Sequence, residues 1–125
     1  MGLIQPTPAP AAGSVMTKAV TRAAQLLELP QLTLAAMLGV SPATASRLVG
    51  GHYVLTEDRK EWELAALFVR LFRALDAVVG SNDAAARQWL WSENRALGGV
   101  PGKLLKNTEG LVRAVHYLDA ARGRV

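Results

Sequence analysis

From residue 14 onward the apolar positions of this chain recur with a helical period. Met16, Val20, Ala23 and Leu27 share one face, while Lys18, Arg22 and Gln25 fall on the other, which predicts a first helix from about Ser14 to Leu29. Pro30 biases Leu29 away from helical angles and suits the first turn of a second helix, Gln31 to Leu38, that stops at Gly39. Ser41 and Pro42 stand as N-cap and first helical residue of a short third helix, and Gly50-Gly51 end it. After a loop carrying His52 to Leu55, Thr56 is the expected cap of a long fourth helix. It reaches about Val79, with Glu57 and Asp58 at its positive end, a span of about 34 Å. Its centre, LAALFVRLF, is apolar almost all round, the mark of a helix covered on more than one side, as core organiser, dimer interface or both. Ser81 or Asn82 caps a fifth helix, DAAARQWLW. A bend marked by Gly and Pro runs from Asn94 to Gly102, then a short piece, KLLK. A last helix is capped by Thr108, carries Leu111, Val115 and Leu118 on one face, and ends at Gly123. Alternating β-branched runs are missing, so the fold class is all-α.

Composition narrows the function classes. Of 125 residues, 50% are hydrophobic, enough for a core in one domain or in two small units sharing one. Cysteine is absent, which excludes disulfides, thiol nucleophiles and thiolate metal sites. The most apolar run, Leu64 to Val69, is too short for a bilayer span, so no membrane is expected as partner. The opening MGLIQPTPAPAAGS lacks a basic start followed by an apolar core, so the expected compartment is the cytoplasm. Residues 1–13, rich in Pro and Ala, read as a flexible arm. The net charge of +4 leans towards polyanionic partners, though acids are scattered among the bases.

Enzyme chemistry finds no foothold, and no cofactor or metal is expected. GGVPGK is not a phosphate loop, because Leu97 and Leu104 stand where Gly and Ser or Thr are required and no strand precedes it. His52 and His116 are far apart and lack ligand spacing. His116 and Asp119 form an i, i+3 pair expected to be solvated, and no carboxylates pair in an apolar setting.

The stretch Gln31 to Gly50 combines a small residue at 35, glycine at 39 and inward apolar positions at Leu34, Leu38, Val40, Ala45 and Leu48. It resembles the helix-turn-helix of phage-repressor-like, Xre-type regulators. The resemblance implies a third helix entering the DNA major groove while the second braces it across the backbone. The candidate DNA-binding residues are then Gln31, Ser41, Pro42, Ala43, Thr44, Ser46 and Arg47. Small side chains at 43, 44 and 46 permit close approach, Arg47 can reach a guanine edge or phosphate, and Gln31 can hold a phosphate. Against this, residues 31–56 hold one arginine and no lysine, and Glu57 and Asp58 follow directly. One module alone should bind weakly, so a homodimer, helped by Lys18 and Arg22, is expected on paired operator half-sites.

The last third shows Trp89-Leu90, Asn94, Leu97-Gly98-Gly99, Pro101, Leu104-Leu105, Thr108, Gly110, Val115 and Leu118. This order resembles the toxin-binding domain of Xre/MbcA/ParS-type antitoxins, and the resemblance covers nearly the whole chain from about residue 17. It implies a RES-domain toxin that consumes NAD or ADP-ribosylates a target, an antitoxin that blocks its active site, and repression of its own operon. The implied organisation is an arm at 1–13, a DNA-binding and dimerisation unit at 14–80 and a toxin-binding unit at 81–125. Trp89, Leu97, Leu104, Leu111 and Val115 are expected in the core, and Trp89 and Trp91, two apart on a helix, point different ways. The candidate toxin-binding residues are Lys103, Lys106, Asn107, Arg113, Arg122 and Arg124, a cationic set suited to a cleft that takes a dinucleotide's phosphates. The rival readings are a stand-alone regulator with a C-terminal ligand-sensing domain, and an interaction scaffold whose helix-turn-helix is vestigial.

Overall fold

The computed structural model describes residues 11–123, so most of the expected arm and Arg124 lie outside it. Among the described residues there are seven helices: α1 (Ala12–Leu26), α2 (Gln31–Leu38), α3 (Pro42–Val49), α4 (Glu61–Val78), α5 (Asp83–Trp91), α6 (Pro101–Leu104) and α7 (Thr108–Arg122). A single antiparallel bridge, Asn94 to Gly99, is the only β pairing among them. The fold is all-α.

Local chemistry explains where the helices stop. α2 ends as expected at Gly39, which holds φ 71°, a left-handed conformation that costs a glycine little. α3 starts at Ser41, whose hydroxyl accepts the Thr44 N–H at 3.0 Å. α1 departs from expectation at both ends. It begins two residues early, with the Val15 N–H bonding the Ala11 carbonyl at 3.2 Å, and stops at Leu26, because Glu28 turns to φ 53° ahead of Pro30. α4 begins at Glu61 rather than near Thr56. The Arg59 N–H bonds the Thr56 carbonyl at 3.1 Å, and the Trp62 N–H bonds the Arg59 carbonyl at 3.1 Å. This local turn displaces the helix start and makes Glu61 and Glu63 the acids of its first turn. α6 starts at Pro101, two residues before KLLK, with Pro in the first turn. Asn107, not Thr108, caps α7, its side-chain oxygen accepting the Gly110 N–H at 2.8 Å.

One apolar core runs through the molecule. Val20, Leu27, Leu34, Met37, Leu38, Leu48, Leu55, Phe68, Leu71, Leu75, Leu90, Leu105, Leu111, Val115 and Leu118 are each at most 2% exposed and belong to a single cluster. α4 organises it. Its most extensive packing is against α7, and it also touches α1, α2 and α5. Much of the apolar character of its centre is thereby accounted for inside one chain, since Phe68, Leu71, Ala74 and Leu75 are fully buried. No single helix among the described residues is long and apolar enough to cross a membrane.

Candidate nucleic-acid interface and C-terminal surface

The axes of α2 and α3 turn through 111° across the Gly39–Ser41 bend, within the range of a helix-turn-helix. The positions expected to face inward do so. Leu34, Ala35, Leu38, Ala45 and Leu48 are buried, and Val40 packs partly against the core. Ala35, 3% exposed, sits among these buried residues, as a close crossing needs.

The opposite face of α3 is open. Ser41, Pro42, Ala43, Ser46 and Arg47 are exposed, Thr44 is half-buried, and Gln31 is exposed at the start of α2. All seven candidate DNA-binding residues therefore have solvent access. The Ser41 hydroxyl also lies 2.9 Å from the Thr44 hydroxyl, so the two hydroxyls form one polar edge at the first turn of α3. Lys18 and Arg22 of α1 line a shallow groove of about 390 Å³ with Thr17, Thr21, Gln25 and the end of α3. Two cations from α1 are thus added to the single arginine of the helix-turn-helix.

Two residues escaped the sequence reading. The Arg47 guanidinium lies over the Tyr53 ring at 5.7 Å, a cation–π distance. The Tyr53 hydroxyl donates to Glu61 Oε1 at 2.5 Å, and this bond, with desolvation behind it, raises the phenol above its ordinary pKa. Arg47, Tyr53 and Glu61 form a chain from the exposed face of α3 to the first turn of α4. No short-range pattern signals it, because the three side chains meet only once the loop after α3 has folded back. That loop is pinned to α1, where the Leu55 N–H donates to Thr17 Oγ1 at 2.9 Å.

The C-terminal unit is anchored on the end of α1. The Trp91 indole N–H donates to the Leu27 carbonyl at 3.2 Å, and an Arg87 N–H donates to the Leu26 carbonyl at 3.0 Å. These are last-turn carbonyls that a helix terminus leaves without partners. Trp91 also packs on Gly102, while Trp89 stacks on Tyr117 with ring centres 6.2 Å apart, so the two indoles do point to different neighbours. Leu97, Leu111 and Val115 are buried, and Trp89 and Leu104 are partly buried against the same core. Asn94 closes the following bend: its side-chain oxygen accepts the Leu97 N–H at 3.1 Å and its N–H bonds the Gly99 carbonyl at 2.8 Å.

The candidate toxin-binding residues split into groups. Lys103, Lys106 and Asn107 are exposed at the α6–α7 junction, although the Asn107 side-chain oxygen is already committed to the α7 cap. Arg113 is exposed on the body of α7. Arg122 is exposed at its far end, about 21 Å along the axis from Thr108. Asp119 pairs with Arg70 of α4. Among the described residues no cluster of His, Asp and Glu is placed to hold a metal.

Comparison with known proteins agrees with this layout. Residues 8–70 match the antitoxin Xre-like helix-turn-helix domain, and residues 74–124 match the antitoxin Xre/MbcA/ParS C-terminal toxin-binding domain. The boundary between the two falls inside α4, the helix that both units share. Among curated protein sequences none matches the chain. Among solved structures, the crystal structure of the M. tuberculosis MbcT-MbcA toxin-antitoxin complex contains a chain with the same fold. The TM-score is 0.64 at 23% identity, over 89% of this chain and 96% of that one. With an Xre-like helix-turn-helix followed by an Xre/MbcA/ParS C-terminal domain, the chain belongs to the Xre/MbcA/ParS-type antitoxins.

Proposed function

We propose that this chain is the antitoxin of a toxin–antitoxin pair, neutralising a RES-domain toxin that consumes NAD or ADP-ribosylates a target. It does so by occluding the toxin's cleft, and it represses its own operon by binding operator DNA as a homodimer in the cytoplasm. The work is done by binding, with no chemistry on this chain. Residues 14–80 serve DNA and residues 81–125 serve the toxin.

The observation that carries the DNA half is the open face of α3. Ala43, Ser46 and Arg47 stand exposed over a buried Ala45 and Leu48, so the helix is both rigidly backed and free to enter a groove. Gln31, Ser41, Pro42 and Thr44 flank it for contacts to phosphate or base. Pairing of two chains doubles a modest cation count, and matched half-sites favour it. For the toxin half, support comes from the C-terminal domain match and from the exposed cations Lys103, Lys106, Arg113 and Arg122, with Asn107 beside the first two. Arg124, outside the described residues, extends the set in sequence.

The deciding experiment is expression of the adjacent open reading frame, alone and with this chain. The proposal expects growth arrest alone, relief on co-expression, and a stable complex on purification. An adjacent product that is harmless, or one that this chain neither relieves nor binds, overturns it.

A further inference from the structure

α1 and α4 leave an open trough of about 690 Å³ between them. Its walls are two stripes at helical spacing: Ala12, Val15, Met16 and Ala19 on α1, and Trp62, Ala66 and Val69 on α4. Val15 is 55% exposed, an uncovered apolar side chain on the outward face of a helix whose other face is core. From Trp62 to Arg73 the trough follows α4 for about 16 Å, roughly three helical turns.

Among the described residues three guanidiniums line it, Arg70 and Arg73 from α4 and Arg122 from the end of α7, and no carboxylate does. Arg70 is engaged by Asp119, whereas Arg73 and Arg122 have no ion-pair partner among the described residues. The charge decides between occupants. A second copy adds three more arginines and no carboxylate to the described lining. The first ten residues, MGLIQPTPAP, hold no acid to answer them. Two packed helices with facing apolar stripes and a cationic border accept a third helix that is apolar on one side and acidic along its flanks.

We propose that the α1–α4 trough is a docking site for an acidic amphipathic helix of a partner protein, distinct from the α3 face and from the α6–α7 junction. The proposal goes beyond the antitoxin reading, shares only Arg122 with the toxin-binding set, and is assayed with neither toxin nor DNA, so either can fail alone.

The probe is a synthetic helical peptide with Leu and Ala on one face and Glu on both flanks, titrated into the full chain by calorimetry. Binding is localised by the NMR signal of the Trp62 indole. A control peptide carries Lys in place of Glu. The expected result is saturable binding of the Glu peptide with a shifted Trp62 signal, and binding of the Lys peptide weaker by about tenfold. Exchanging both free cations, Arg73→Glu with Arg122→Glu, reverses that preference. Both side chains are exposed, so the fold survives the change. Val15→Glu, also on the surface, weakens the Glu peptide. Equal binding of the two peptides, no binding of either, or a shift that leaves Trp62 unmoved overturns the proposal. So does concentration-dependent self-association abolished by Val15→Glu, since a second copy then occupies the trough.

Discussion

Gly110 tests how α6 and α7 are joined. It is the third residue of α7, is buried, and donates its N–H to the Asn107 side chain at 2.8 Å. A Cβ added there meets the Leu104 carbonyl oxygen at 2.0 Å and the carbonyl carbon at 2.8 Å. A relaxed contact between carbon and oxygen needs about 3.3 Å. Both offending atoms are backbone, so no rotamer change relieves them, and the first turn of α7 must retreat by about 1 Å. Overpacking of this kind costs about 1–3 kcal/mol. Loss of the Asn107 cap, which that retreat strains, adds about 1 kcal/mol. The better helix propensity of alanine returns at most about 1 kcal/mol. Gly110→Ala is therefore expected to destabilise the chain by about 2 kcal/mol. For a chain of this length that lowers the thermal midpoint by about 8 °C, read by far-UV circular dichroism. Gly123→Ala is the control. Gly123 lies at φ −77°, and its nearest clash-relevant atom is 3.4 Å away, so its midpoint should stay within about 2 °C of the parent. A Gly110→Ala protein that melts with or above the parent refutes the reasoning.

Other consequences follow from particular contacts. Phe68→Ala empties a fully buried site at the centre of α4 and should cost about 3–5 kcal/mol in urea unfolding, while a loss under 1 kcal/mol contradicts the packing. Ser41→Ala removes the α3 cap and should cost about 1 kcal/mol, with Ser41→Asp restoring it. Tyr53 has a folded-state pKa raised above 10.0, because its hydroxyl donates to Glu61 and the ring is partly desolvated. Its contribution is therefore fully present below pH 10 and declines as the pH rises through the higher folded value. Tyr53→Phe should lose that contribution at pH 8 and flatten the alkaline fall in stability, and an unchanged alkaline profile speaks against the bond.

The helix-turn-helix was legible because its signals are local. A glycine at the turn, a Ser-Pro start and inward apolar spacing each act within a few residues, and α2 and α3 fall where those signals place them. The start of α4 was not, because Thr56 heads a backbone turn closed by the Arg59 N–H, and a good cap residue in the sequence does not reveal that the chain turns again before its helix starts. Asn107 and Thr108 are adjacent cap residues, and only the geometry selects the first. Gly110 was visible as part of a pattern, but the carbonyl that excludes a side chain there belongs to Leu104 across a bend. The chain from Arg47 through Tyr53 to Glu61, and the approach of Arg122 to Arg70 and Arg73, join residues that no helical period relates. Tertiary placement alone creates them.

The account rests most heavily on the outward face of α3 as a DNA-reading surface separate from the toxin-binding end. Titration of the chain against the DNA upstream of its own gene, by gel shift across a salt series, addresses it directly. The parent should bind specifically with an affinity that falls steeply with salt. Arg47→Ala should bind about tenfold to a hundredfold more weakly while still relieving toxin-induced growth arrest. No shift by the parent at low salt, or an Arg47→Ala protein that binds DNA as the parent does, contradicts the account.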